Sequence, residues 1–127
     1  MNNSPRETVD KMFASFREAN VAGIVKTVSE DTIWIYHGPQ KIPKGTFEKK
    51  AGVKAFFNNI LEKTEMISFN TDQFITEGNA VVVIGSEHQK VKRSGREMKQ
   101  KWVQIYTVEN NLITKMEEFA TSEEMEK

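Results

Sequence analysis

An α+β domain, with a strongly curved antiparallel sheet wrapped over N-terminal helices, is the fold class this sequence predicts. Three observations predict it. Segments with apolar residues at helical spacing occupy most of the first 64 residues. Strand-like stretches separated by turn residues occupy nearly everything after them. The stretch from Lys101 to Thr121 reads as two long antiparallel strands closed by Glu109, Asn110 and Asn111. Helices first and a meander afterwards is the α+β order.

At 127 residues the chain makes one domain, spanning 1–127, large enough to bury a core. Lysine and arginine total 18 and aspartate and glutamate total 18, which argues against nucleic acid as a partner and supplies no polybasic membrane anchor. The absence of cysteine excludes a disulfide framework, a thiolate zinc site and a cysteine nucleophile, and fits a cytoplasmic location. The first ten residues are polar, and no apolar run approaches the ~20 residues of a membrane span.

In chain order, Ser4-Pro5-Arg6-Glu7 combines an N-cap serine, a proline at the first helical position and a glutamate at the third, so a helix starts there. Val9, Met12, Phe13 and Phe16 form its buried stripe. Asn20 caps a short second helix expected to reach about Val28. Thr32 to His37 then gives the first strand, with Trp34 and Tyr36 on one face and Ile33, Ile35 and His37 on the other. Gly38 to Thr46, with Pro39, Pro43 and Gly45, reads as a loop. Glu48 to Thr64 gives a third helix with Val53, Phe56, Phe57, Ile60 and Leu61 on one stripe. Met66–Thr76, Ala80–Lys90 and Glu97–Val108 are strands, with turns at Glu77-Gly78-Asn79 and Ser94-Gly95, and the acidic tail after Ser122 is expected to fray.

The closing hairpin decides which side chains share a face. A three-residue loop closed by Asn111 at positive φ is the expectation, because a two-residue loop needs Asn110 and Asn111 both at positive φ without a glycine. Gln104 then faces Met116, and Trp102 faces Glu118. One face carries Trp102, Gln104, Tyr106, Met116 and Glu118, a mixture of aromatic walls and polar groups suited to a ligand pocket. The other carries Val103, Ile105, Thr107, Glu117 and Phe119; its apolar members predict a homodimer through the outer sheet face.

Glu30-Asp31-Thr32-Ile33-Trp34, the run from Ile42 to Phe47, Gly52-Val53-Lys54-Ala55-Phe56-Phe57, the run from Phe74 to Gly85, and the hairpin together resemble the SnoaL-like branch of the nuclear transport factor 2-like superfamily. The resemblance covers nearly the whole chain. It implies a cone (a cystatin-like roll) with a deep pocket between helices and sheet, and usually a dimer. Polyketide cyclases, ketosteroid isomerases and limonene epoxide hydrolase share the fold. The positions that match the hydrolase's site are Trp34, Tyr36, Gln104, Trp102 and Glu118, of which only Glu118 keeps a carboxylate, so the resemblance does not extend to epoxide hydrolysis. No acidic residue lies between Ile33 and Gly38, where the isomerases place their base. In the cyclases an aspartate at the position of Glu118 is the acid/base and a histidine at that of Gln104 assists it.

Two readings follow. In the first, Glu118 is the general acid/base of an isomerase, cyclase or lyase acting on a hydrophobic cyclic or carbonyl substrate, with Trp34, Tyr36, Trp102, Gln104, Tyr106 and Met116 binding it. In the second, a noncatalytic module binds a hydrophobic small molecule in the same cavity. A third possibility is a filled core in which Glu118 pairs with a neighbour. No metal or other cofactor is expected, since His37 and His88 sit on different strands without ligand spacing. The basic run Lys90, Lys92, Arg93, Arg96, Lys99, Lys101 is read as a solvated hairpin.

Overall fold

The computed structural model describes residues 4–38 and 45–124, with side chains described through residue 121. Helix α1 spans Pro5–Arg17, α2 Val21–Val25 and α3 Lys49–Lys63; the strands are β1 (Val28–His37), β2 (Gly45–Glu48), β3 (Thr64–Glu77), β4 (Ala80–Val91), β5 (Glu97–Glu109) and β6 (Leu112–Glu124). The capping box forms at α1: Ser4 Oγ accepts from the Glu7 amide at 3.2 Å and the Glu7 carboxylate accepts from the Ser4 amide at 3.0 Å. Asn20 Oδ1 accepts from the Gly23 amide at 3.0 Å and starts α2.

α2 stops at Val25, short of the expected Val28, because the chain is already needed in the sheet: Thr27 carbonyl accepts from the Ile113 amide at 2.8 Å and Val28 begins β1. The expected loop from Gly38 to Thr46 falls mostly on residues 39–44, outside the described residues, and Gly45 and Thr46 belong to β2. β3 begins at Thr64, directly after α3, and is longer than expected. Of the tail expected to fray after Ser122, Glu123 and Glu124 instead continue β6, with the Glu124 backbone paired to Met98, and residues 125–127 lie outside the described residues.

The six strands form one open sheet in the order β2-β1-β6-β5-β4-β3. The sheet is mixed, which corrects the antiparallel expectation. β1 and β6 run parallel, because β2, α3 and the β3–β5 meander separate them in sequence and return the chain beside its first strand. This pairing sets Trp34 beside Met116 and Tyr36 beside Glu118.

The core lies between the inner sheet face and the helices, and it is strongly aromatic. Phe13 of α1 packs against Phe69, Phe74, Trp102 and Tyr106, while Phe56 and Phe57 of α3 pack against Trp34. Burying such a ring stabilises by roughly 1.5–3 kcal/mol, so this layer supplies much of the driving force for covering the sheet. Gly85 on β4 makes the packing possible. A Cβ there would collide with the Asn70 carbonyl oxygen and the Trp102 indole, so only glycine lets the ring lie flat on the strand.

Candidate functional site

The turn that sets the site is tighter than the sequence suggests. Glu109 pairs with Leu112, leaving a two-residue loop in which Asn110 and Asn111 both take positive φ, 52° and 66°. This is the backbone of a type I′ turn, whose twist matches that of the flanking strands. The register then shifts between Thr107 and Val108, because Thr114 is an extra residue on β6. The result places Gln104 opposite Glu118, Tyr106 opposite Met116 and Trp102 opposite Ala120. The expected pairs, Gln104 with Met116 and Trp102 with Glu118, are therefore corrected by two residues. A shift of two preserves the faces, and Trp102, Gln104, Tyr106, Met116 and Glu118 all point inward and are buried.

The pairing makes a short polar chain in an apolar setting. Tyr106 Oη donates to Gln104 Oε1 at 2.5 Å, and Gln104 Nε2 donates to Glu118 Oε1 at 3.2 Å. Glu118 is 5% exposed. Removal from water raises its pKa to about 7, against the smaller lowering effect of the Gln104 hydrogen bond. Burial, and secondarily the Glu118 charge, push the Tyr106 hydroxyl well above its ordinary value, so it remains a neutral donor. A carboxyl with a pKa near 7 exchanges its proton readily at neutral pH.

These groups face a cavity of about 40 Å³ lined by Trp34, Gln104, Tyr106, Met116 and Glu118 from the sheet and by Met12, Phe13, Phe16, Phe56, Phe57 and Ile60 from the helices; Phe69 and Glu87 complete it. It is small. Such a volume holds a few waters, whereas drug-sized ligands occupy roughly 300–1,000 Å³. The deep pocket implied by the resemblance is thus largely filled by phenylalanine rings. Two expected lining residues stand just outside it. Trp102 stacks against Phe13 and Phe69, with ring centroids 6.3 Å and 5.3 Å away, and Tyr36 accepts a hydrogen bond from Gln100 Nε2 at 3.3 Å.

Glu87 is the residue that reading the sequence missed. It lies on β4, is buried, lines the same cavity and is opposite Gln100. The signal was present: Val81, Val83 and Gly85 set an inward parity that continues to Glu87 and Gln89. The two histidines are elsewhere. His37 Nε2 lies 2.9 Å from Glu117 on the outer face, and His88 Nε2 lies 2.7 Å from Glu97. Among the described residues no cluster of His, Asp and Glu is arranged to hold a metal ion.

The sequence pattern of the SnoaL-like domain family matches residues 9–116, and the chain belongs to that family. Its fold is the nuclear transport factor 2-like fold seen in a protein of that description from Burkholderia xenovorans LB400, which is 25% identical with a TM-score of 0.82 over 94% of this chain and 91% of that one. TerC, crystallised with polyporic acid, is 26% identical with a TM-score of 0.78 over 91% of this chain and 89% of TerC. A protein provisionally named a SnoaL-like polyketide cyclase, from Mesorhizobium loti, is 15% identical with a TM-score of 0.72, covers 92% and 99% of the two chains, and shows the fold alone. No curated protein matches the chain significantly. Among the described residues no helix is long and apolar enough to cross a membrane.

Proposed function

We propose that this protein binds a hydrophobic cyclic or carbonyl-bearing small molecule against the inner sheet face, and that Glu118 is its general acid/base in an isomerase, cyclase or lyase reaction. The observation that carries the reading is Glu118 itself: a buried carboxyl with a pKa of about 7, one hydrogen bond from Gln104, and a surrounding wall of aromatic rings. The ionised carboxylate takes a proton from the carbon α to a substrate carbonyl, leaving an enolate. The acid so formed returns that proton to the same or a conjugated carbon, and atoms and charge balance within the pair. A cyclic substrate exceeds the 40 Å³ present, so its binding requires rings to swing aside. Phe16 and Phe69 are only partly buried and are the side chains best placed to move. That TerC, similar in structure, was co-crystallised with polyporic acid supports a small organic ligand here.

The filled cavity favours a second reading, a noncatalytic module that opens around its ligand and anchors it on Gln104 and Glu118. One experiment separates the two. Hydrophobic ketones are incubated with the protein in D₂O, and α-carbon deuteration and binding are followed by NMR. Catalysed exchange that falls about 10²–10⁴-fold in Glu118→Gln, with binding kept, supports the enzyme. Binding without exchange in the native protein supports the module, and neither binding nor exchange defeats both.

The assembly proposed is a homodimer through the outer sheet face. Ile105 is 37% exposed and Phe119 45% exposed, and Val103 and Ile84 on the same face are partly exposed, an apolar surface of the kind that association covers.

A further inference from the structure

A carboxamide offers a donor at one end and an acceptor at the other, and which end meets a carboxyl decides which protonation state it favours. Gln104 stands between two buried groups, with its Oε1 toward Tyr106 and its Nε2 toward Glu118. The phenol has a single proton, and Gln104 Oε1 receives it at 2.5 Å. If the amide rotated by half a turn, the phenol oxygen would meet an N–H and its own proton would lose this acceptor inside the core, an unfavourable exchange.

We propose that Tyr106 is a positioning residue that acts on Glu118 through Gln104, holding the carboxamide so that its N–H faces the carboxylate and the ionised form is favoured. This rests on the reading of Glu118 as the acid/base and names what regulates it. The three groups form one aligned chain, O–H to C=O and N–H to carboxylate, in which each bond polarises the next. The cross-strand register delivers the geometry. Tyr106 and Gln104 are successive inward residues of β5, and Glu118 is the direct partner of Gln104 on β6. Burial together with the Glu118 charge keeps Tyr106 protonated, so the donor persists whenever Glu118 is ionised. In Tyr106→Phe the amide is free to turn its carbonyl toward a protonated Glu118, and proton affinity rises.

The test is a carbon-13 titration of the Glu118 carboxyl with a nitrogen-15 titration of the Gln104 side-chain amide. In the native protein both follow one midpoint. Tyr106→Phe should bind the proton about three- to tenfold more tightly. Gln104→Leu should raise the midpoint further, and adding Tyr106→Phe to it should change nothing more. Failure of Tyr106→Phe to move the midpoint, or the same movement in the Gln104→Leu background, would overturn the proposal. So would Gln104 amide signals that stay silent through the Glu118 midpoint in the native protein, a measurement that needs no variant to fold. A native midpoint at or below about 4.3 would defeat the acid/base reading instead, whatever Tyr106 does.

Discussion

Glu117 and Glu118 are neighbours in sequence and opposites in environment. Glu117 points to the outer face, is partly exposed and lies 2.9 Å from His37, an ion pair when that ring is protonated. Glu118 points inward, is buried, and takes one neutral hydrogen bond from Gln104. The residue type is the same and the strand is the same. Burial differs most, and it raises Glu118 to about 7 against the smaller lowering effect of the Gln104 hydrogen bond. The alternation of a single strand therefore separates a partly exposed carboxylate from a buried one.

The largest expected effect sharpens that contrast. A carboxyl whose pKa is raised on folding binds more protons folded than unfolded between the two values, so stability is highest below about 4.3 and declines as pH rises toward 7. The full decline attributable to Glu118 is on the order of 3 kcal/mol. Glu118→Gln removes it. The variant's stability relative to the native protein should accordingly grow with pH across this window in urea unfolding. A difference for Glu118→Gln that is independent of pH would place its titration outside the window.

The next effect tests whether the inner face is as tightly packed as it looks. Gly85→Ala pushes a methyl group against the Asn70 carbonyl and the Trp102 indole. We expect a loss of about 1–3 kcal/mol, the usual cost of overpacking, read from the unfolding midpoint. Ser86→Ala, one residue on and facing outward, should stay within about 0.5 kcal/mol. Equal effects at the two positions would mean that β4 does not separate a packed face from an open one.

The same two faces explain what could be read from sequence. Side-chain direction depends on register only modulo two, and the one-residue difference in loop length plus the one-residue bulge at Thr114 shift the register by two, so the expected and observed pairings both set Glu118 inward and Glu117 outward. Partner identity depends on the register itself. That is why the expected register sets Gln104 against Met116, whereas the structure sets it against Glu118. The sequence points to a longer turn because two successive asparagines at positive φ are uncommon, and the Thr114 bulge leaves no local signature. The parallel β1–β6 pairing was beyond reach for another reason: it joins segments separated by a helix and four strands. The helix boundaries, in contrast, rest on capping side chains a few residues apart, and the Ser4 and Asn20 caps were legible.

The turn itself offers a moderate effect. Asn110 has φ 52°, a conformation that asparagine tolerates and a β-branched residue does not. Asn110→Val should cost on the order of 1 kcal/mol or more, and Asn110→Gly should be neutral or mildly stabilising. If valine were tolerated as well as glycine in thermal unfolding, the turn would not be holding the two faces in place.

The smallest expected effect on the fold falls on the outer face, and it separates folding from assembly. Ile105 lies between Gln104 and Tyr106 in sequence but points away from both, toward the surface shared by Val103 and Phe119. A lysine there keeps its charge in water and leaves the core untouched, so Ile105→Lys should change monomer stability by no more than about 0.5 kcal/mol. Covering an apolar face with a second copy requires that face to shed its water, and a charge at its centre opposes this. In sedimentation at micromolar concentration the native protein should therefore run as a dimer and Ile105→Lys as a monomer, with the Glu118 carboxyl titrating identically in both. An unchanged mass would remove this face as the interface, and a changed Glu118 titration would show that the two faces are not independent.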